Sequence, residues 1–335
     1  MITIDGSLGE GGGQILRTSL ALSCITRTPL QLHRIRAKRS RPGLRPQHLV
    51  CVRAAAQISG ARVEGDRVGS GELLFRPKKV RSGDFGFQIG TAGSTTLVLQ
   101  TVLLPLALCG DRRSTVRVGG GTHNDKAPPV DYLQRAWLPL LKRMGLRVEL
   151  SLERPGFYPK GGGSIVARIF PGKPTRLDLP KRGRQQALRG LVVQSGLGAE
   201  AGARALESLG QDLPLSDTDL RQFRGPPGLA VMVEAEHRCV TELFSGLADR
   251  GRKIEEAAQE AARQAQAWLD QSAPVGELLA DQLLLPLALS PGGSFTTVEP
   301  SLHTRTNIQV IQSFLDCGVQ LEKHGRHWEC LVTPG

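Results

Sequence analysis

The run Glu299-Pro300-Ser301-Leu302-His303-Thr304-Arg305-Thr306-Asn307 sets one histidine among hydroxyls where a strand gives way to a helix. Residues 294–298 (Ser-Phe-Thr-Thr-Val) have strand composition, and Ile308, Ile311 and Leu315 recur at helical spacing from Thr304 onward. His303 therefore stands at a helix N-terminus, where free backbone N–H groups attract an anion and disfavour a protonated imidazole. Such a ring is a neutral nucleophile beside any bound phosphate. Taken alone, the loop favours the blander outcome, a capping or packing histidine. Other phosphate chemistries lack their residues. Gly172-Lys173 runs into Pro174, which breaks the helix start of a phosphate-binding loop, and Asp5-Gly6 has no lysine two residues before it for lysine-based nucleotidyl transfer. Phosphate chemistry in this chain falls to the histidine.

The elements that must position His303 belong to a chain of 335 residues, 40% hydrophobic, with a net charge of +12. That length exceeds one ordinary domain, so one large domain plus something smaller is expected. The charge is unevenly placed. Between Glu10 and Glu64 no acid occurs, whereas Arg17, Arg27, Arg34, Arg36, Lys38, Arg39, Arg41, Arg45, Arg53 and Arg62 are cationic. Arginine forks match phosphate oxygens, so this stretch suits RNA or nucleotide phosphates, with a solvated basic face as the alternative. The six cysteines are dispersed among apolar neighbours without Cys-x-x-Cys spacing and read as reduced core residues. No apolar run approaches membrane-spanning length, and Met1-Ile-Thr-Ile-Asp5 opens in strand-like sequence. A soluble, cytoplasmic protein without a membrane partner is expected, its oligomeric state open.

An internal repeat arranges these parts. Three times a helix meets glycine and then a β-hairpin: residues 43–59 into 61–76, 130–144 into 146–170, and 304–316 into 318–333. Gly60, Gly145 and Gly318 are the expected left-handed C-caps. A further helix and strand precede each: 14–26 then 30–36, 94–109 then 114–119, and 276–289 then 294–298. The fold class is α+β, with three repeated β-α-β-α-β-β units forming a large domain over residues 1–176 plus 275–335. In each unit an unusual loop joins second strand to second helix: 36–48, 119–129 and the His303 loop. Packing around a common axis would let these loops converge, bringing arginines, backbone amides and the nucleophile together. The glycines of 9–13 and 90–93 would let backbone amides approach a phosphate, or serve only tight packing. Residues 177–274 form an inserted small domain, with strands at 190–194 and 229–234 and helices near 199–209 and 250–270.

Glu10-Gly-Gly-Gly-Gln-Ile-Leu-Arg17, Arg36 to Leu49, Gly93-Ser94 to Gln100, Gly156-Phe-Tyr-Pro-Lys-Gly-Gly-Gly163, Ala280-Asp281-Gln282 and Pro300 to Asn307 occur in this order. Together they resemble the RNA 3′-terminal phosphate cyclase family, over about residues 1 to 316 and least in the insert. The resemblance implies three units similar to the C-terminal domain of a translation initiation factor, with a thioredoxin-like α/β domain inserted. It implies ATP as cosubstrate and RNA with a 3′-phosphate end as partner. His303 would take AMP, pass it to the RNA phosphate, and AMP would leave as the vicinal 2′-OH closes a 2′,3′-cyclic phosphate.

By the same resemblance Asp281 and Gln282 hold the adenosine, Pro128 and Phe244 pack on the base, and Glu10 binds a divalent metal, Mg or Mn, beside the phosphates. Arg17, Arg36, Arg39 and Gln47 receive the RNA end, and Gln100 supports the site. Plainer roles stand beside these: a solvent-facing Asp281, a surface Arg17, a core Phe244. Residues 245–251 depart from the family pattern, which bears on Phe244, and Leu302 beside the histidine is expected to be harmless. A non-catalytic RNA-binding relative acting in ribosome biogenesis would lack the histidine. An enolpyruvyl transferase built of similar repeats would need neither ATP nor a histidine acceptor.

Overall fold

In a computed structural model, residues 1–248 and 251–335 are described. Elements run β1 (Ile2–Asp5), α1 (Gly13–Thr26), β2 (Leu30–His33), α2 (Pro46–Ser59), β3 (Arg62–Glu64) and β4 (Leu73–Arg76). Then come β5 (Asp84–Gln88), α3 (Thr95–Cys109), β6 (Ser114–Gly120), α4 (Val130–Tyr132), a π-helical turn (Leu133–Trp137), α5 (Leu138–Arg143), β7 (Val148–Arg154) and β8 (Gly163–Ile169). After β9 (Leu177–Leu179) follow β10 (Gln185–Ser195), α6 (Ala199–Asp212), β11 (Asp217–Phe223), β12 (Gly228–His237), β13 (Thr241–Ala248) and α7 (Ile254–Leu269). The chain closes with α8 (Glu277–Ala288), β14 (Gly293–Thr297), α9 (Leu302–Gln312), β15 (Cys317–His324) and β16 (His327–Pro334). This is an α+β protein. Among the described residues no helix is long and apolar enough to cross a membrane.

Four four-stranded sheets form, ordered β1-β2-β4-β3, β5-β6-β8-β7, β9-β14-β16-β15 and β11-β10-β12-β13. In the first three the opening pair is parallel and the later pairs antiparallel, as crossovers followed by hairpins require. Leu177–Leu179 pairs in parallel with Gly293–Phe295. Residues 177–179, the first of the expected insert, therefore pair within the third sheet. The fourth sheet follows from β10 onward. Its outer strands β11 and β13 are polar or half-buried and carry no clear strand signal in the sequence. Arg250, where the last helix of this segment is expected to begin, lies outside the described residues.

Helices bring the three sheets together. The segment α3 is apolar on every side and buries eleven residues from Thr95 to Ala107, the pattern of a helix enclosed by others. It packs on α1 and α2, α1 packs on α9, and α9 on α8. The start of α1, the body of α3 and the starts of α8 and α9 consequently meet. Two expected caps are found, since Gly60 and Gly145 have φ of +59° and +85°. The third is not. Helix α9 ends at Gln312 with Ser313 as its cap, and Gly318 lies in β15.

The fourth sheet is tied to the second unit by buried charge. Asp131, fully buried on α4, accepts from Arg221 of β11 and lies 2.9 Å from His123 Nε2. Burial alone would raise its carboxyl, but His123 and Arg221 outweigh it and hold the group at about 2. Arg135 of the π-turn reaches Glu234 at 2.9 Å and Asp219 at 3.4 Å. Asp131→Ala removes the buried carboxylate between His123 and Arg221, which keep only Thr122 at 2.9 Å and Asp219 at 3.6 Å, and should cost about 3–5 kcal/mol. Urea unfolding measures this, and a loss below about 1 kcal/mol would show the pair contributes no more than a surface bridge. Because the folded value is depressed, this contribution is full above the unfolded carboxyl's ordinary 3.8 and fades as pH falls toward about 2.

Candidate active site

Helix α9 begins two residues before Thr304, because Ser301 caps it: its hydroxyl accepts from the Thr304 N–H at 3.3 Å. His303 thus occupies the second helical position, with half of its side chain (50%) exposed. Its Nδ1 lies 2.7 Å from Gln14 Oε1 and 3.2 Å from Glu10 Oε2. Gln14 in turn donates from Nε2 to Asp281 Oδ1. This last bond fixes the amide. A carboxylate accepts only, so Gln14 presents Nε2 to Asp281 and Oε1 to the ring. Nδ1 must then carry the proton, and Nε2 keeps its lone pair. The network assigns His303 the tautomer a nucleophile at Nε2 requires.

Asp281 is itself anchored from α9. Asn307 Nδ2 donates to its side chain at 3.1 Å and to its carbonyl at 3.2 Å, while Asn307 Oδ1 accepts from Thr18 at 2.8 Å. Burial raises the Asp281 pKa, and Gln14, His303, Asn307 and Arg17 pull the other way. Glu10, mostly buried, is paired with Arg39, and its backbone N–H faces Thr306 Oγ1 at 3.4 Å. Gly9 makes this approach possible: at φ +49° it leaves the space that a methyl group would contest with Thr306.

Arg17, Pro128, Phe244, Asp281, Gln282 and His303 line one cleft of about 1130 Å³. Of the three loops expected to converge, 119–129 and the His303 loop line it directly, and 36–48 reaches His303 through Arg39 and Glu10. Arg17 lines the cleft and has no hydrogen-bond or ion-pair partner among the described residues. Gln282 accepts from Gln100 by its side chain and from Trp137 by its carbonyl at 3.1 Å. Pro128 takes the Thr96 hydroxyl on its carbonyl at 2.7 Å. Phe244 is half-buried and tilts on Trp268 at 5.9 Å, so it belongs both to the fourth sheet's packing and to the cleft wall.

Besides Arg39 on Glu10, two more expected RNA contacts are engaged within the protein. Arg36 donates from Nη1 to the carbonyls of Arg41 at 2.7 Å and Gly43 at 3.0 Å, holding its own loop. Gln47 accepts from the Ser94 N–H at 2.6 Å, at the cap of α3. Acids flanking the basic stretch also offset part of it: Asp5 pairs with Arg34 at 3.1 Å and Asp66 with Arg53 at 3.7 Å. The stretch is acid-free in sequence but not in space.

Comparison with known proteins places the chain in a family. The family model described as RNA 3′-terminal phosphate cyclase matches residues 8–321. A protein of that name from Ralstonia nicotianae is 48% identical over 325 residues, covering 96% of this chain and 93% of the relative. One from Ectopseudomonas mendocina is 48% identical over 321 residues, covering 94% and 93%. This chain belongs to the RNA 3′-terminal phosphate cyclase family. A solved EPSP synthase from Acinetobacter baumannii aligns at a TM-score of 0.30 and 10% identity, over 99% of this chain and 64% of that one, too low to bear on fold or function.

Three residues of this cyclase-family chain take their roles from the fold and are not singled out by the sequence. Gln14 stands three positions before Arg17 and Asn307 four after His303, spacings that put each pair on one helix face. His48 accepts the Arg45 N–H on Nδ1 at 3.1 Å, and burial with Arg17, Arg36 and Arg45 nearby pushes it down to about 3. It is a neutral donor beside Arg17. A fourth, Glu242 of β13, has no sequence signal at all. Its Oε1 accepts the Gly276 N–H at 2.6 Å, capping α8 from the fourth sheet, and burial pushes it up to about 8.

Proposed function

We propose that this protein uses ATP to convert an RNA 3′-terminal phosphate into a 2′,3′-cyclic phosphate through a histidine-bound AMP. The observation that carries the reading is the Asp281–Gln14–His303 chain, which leaves Nε2 unprotonated at the cleft. In the first step Nε2 attacks the α-phosphorus of ATP, an N–P bond forms, and the bond to the β-phosphate breaks to release pyrophosphate. The ring gains positive character, which Nδ1–H passes into Gln14 Oε1 and Glu10 Oε2. An RNA phosphate oxygen then displaces the imidazole from phosphorus, forming an anhydride and restoring the free ring. The 2′-OH attacks the RNA phosphorus, its proton is lost to solvent, and AMP leaves.

Arg17, with open donors, suits the terminal phosphate, and His48 adds a neutral donor next to it. Arg36 and Gln47 support this pocket through loop 36–48 and the cap of α3, and Arg39 acts through Glu10. Asp281 and Gln282 flank the nucleoside, whose base Pro128 and Phe244 enclose. Among the described residues no three His, Cys, Asp or Glu side chains gather, so Glu10 is a single carboxylate beside the nucleophile. That fits Mg²⁺ or Mn²⁺, which would take Glu10 plus phosphate oxygens and waters and would withdraw charge from the α-phosphate. We further assign the three like-ordered sheets to one catalytic body, and β10 to α7 to an inserted thioredoxin-like domain that supplies Phe244 and Glu242. A non-catalytic RNA-binding role would give the ordered His303 network no purpose.

The test is an RNA ending in 3′-phosphate, incubated with protein, Mg²⁺ and ATP. Each end should become phosphatase-resistant and release one AMP. Conversion without ATP, or none with it, would overturn the proposal.

A further inference from the structure

The glycine-rich segment between β7 and β8 supplies nothing to the chemistry above, yet it holds an aromatic ring out at the same cleft. Tyr158 is 70% exposed and lines the cleft with His303. Its backbone is fixed on both sides. Phe157 is buried and stacks on His123 at 5.3 Å with 20° between the rings. Gly161 N–H closes the turn onto the Phe157 carbonyl at 2.7 Å, and Arg154 Nε holds the Gly162 carbonyl at 2.6 Å. A methyl group on Gly161 would meet the Thr91 carbonyl at 2.8 Å and Ala92 Cα at 2.9 Å, so the loop is seated on the segment that opens α3.

Single exposed apolar side chains are common and ordinarily mean nothing. Tyr158 differs in three respects. It projects from an anchored turn, it has no hydrogen-bond or ring partner among the described residues, and it shares its turn with the exposed cation Lys160 and its cleft with the exposed cation Lys126. A rigid aromatic face with nearby cations is how proteins hold unpaired nucleotides, since every base offers a π-face and the adjoining phosphates offer charge. We propose that Tyr158 is the stacking platform for one of the last two bases of the RNA whose 3′-phosphate is brought to His303. The proposal rests on the cyclase reading for the identity of that end.

Fluorescence anisotropy with a short 3′-phosphate RNA tests it, alongside self-adenylation with labelled ATP. Tyr158→Ala should weaken RNA binding about 5- to 100-fold, the range of one lost base stack, and leave the ATP dependence of self-adenylation unchanged. Tyr158→Phe and Tyr158→Trp should bind like the unaltered protein. With an abasic site at either the terminal or the penultimate nucleotide, the Tyr158→Ala penalty should vanish for one of the two RNAs. Undiminished affinity of Tyr158→Ala, the full penalty on both abasic RNAs, or a raised ATP requirement, which would place adenine on this ring, each overturns it. Should the unaltered protein bind RNA but neither adenylate itself nor cyclise the end, the cyclase reading fails, and the binding comparison still decides the role of Tyr158.

Discussion

His303→Ala will take no label from α-labelled ATP, whereas the unaltered protein will carry one that survives denaturation. Replacing a covalent nucleophile removes the intermediate itself, so the loss should be on the order of 10³-fold or more. The label should be released by acid and resist alkali, as a phosphorus–nitrogen bond does and a serine ester does not. Gln14→Ala should retain the nucleophile but free the ring to rotate and to protonate at Nε2, and so label more slowly, by about 10- to 100-fold. Circular dichroism will separate both effects from unfolding, which for His303→Ala is not expected because His303 is half exposed. Stable labelling of His303→Ala would remove the histidine from the chemistry and leave Gln14 and Asp281 as packing.

The residues legible in the sequence are those whose role depends on neighbours along the chain. The place of His303 at a helix start is legible through the strand and cap around it, and the ends of the helices before Gly60 and Gly145 through those glycines. What is not legible is set by contacts across the fold. The bond that fixes the tautomer joins residues 289 apart, and the one that orients Gln14 joins residues 267 apart. No local pattern encodes such a pairing. Gly318 shows the converse error: a glycine after a helical run reads as a cap, but the pairing of β15 with β16 over its whole length claims it for a strand. The strands β11 and β13 escape notice because their burial does not alternate: β11 buries none of its residues fully, and β13 buries Glu242, Leu243 and Gly246. Arg36 and Arg39 mark the limit of charge as evidence, since the sequence supplies their sign but only the fold shows that one holds its loop and the other Glu10.

In the proposed chemistry at the RNA end, adenylyl transfer and ring closure are separate steps, and a single missing oxygen divides them. Adenylation needs only a terminal phosphate to displace His303 from AMP. Closure also needs the neighbouring 2′-OH, whose attack is effectively unimolecular and therefore fast once the anhydride exists. A strand ending in 3′-phosphate on a 2′-deoxyribose should accordingly accept AMP and stop there, with the adenylated end accumulating and no cyclic product. A 3′-hydroxyl end should accept nothing, because it offers no phosphate oxygen to attack. Thin-layer analysis of digested ends distinguishes all three. Failure of the deoxy end to hold any AMP, while the ribose end still cyclises with ATP, would mean that cyclisation proceeds without an adenylated RNA. The AMP carried on Nε2 of His303 would then end its course at the protein and never reach the substrate.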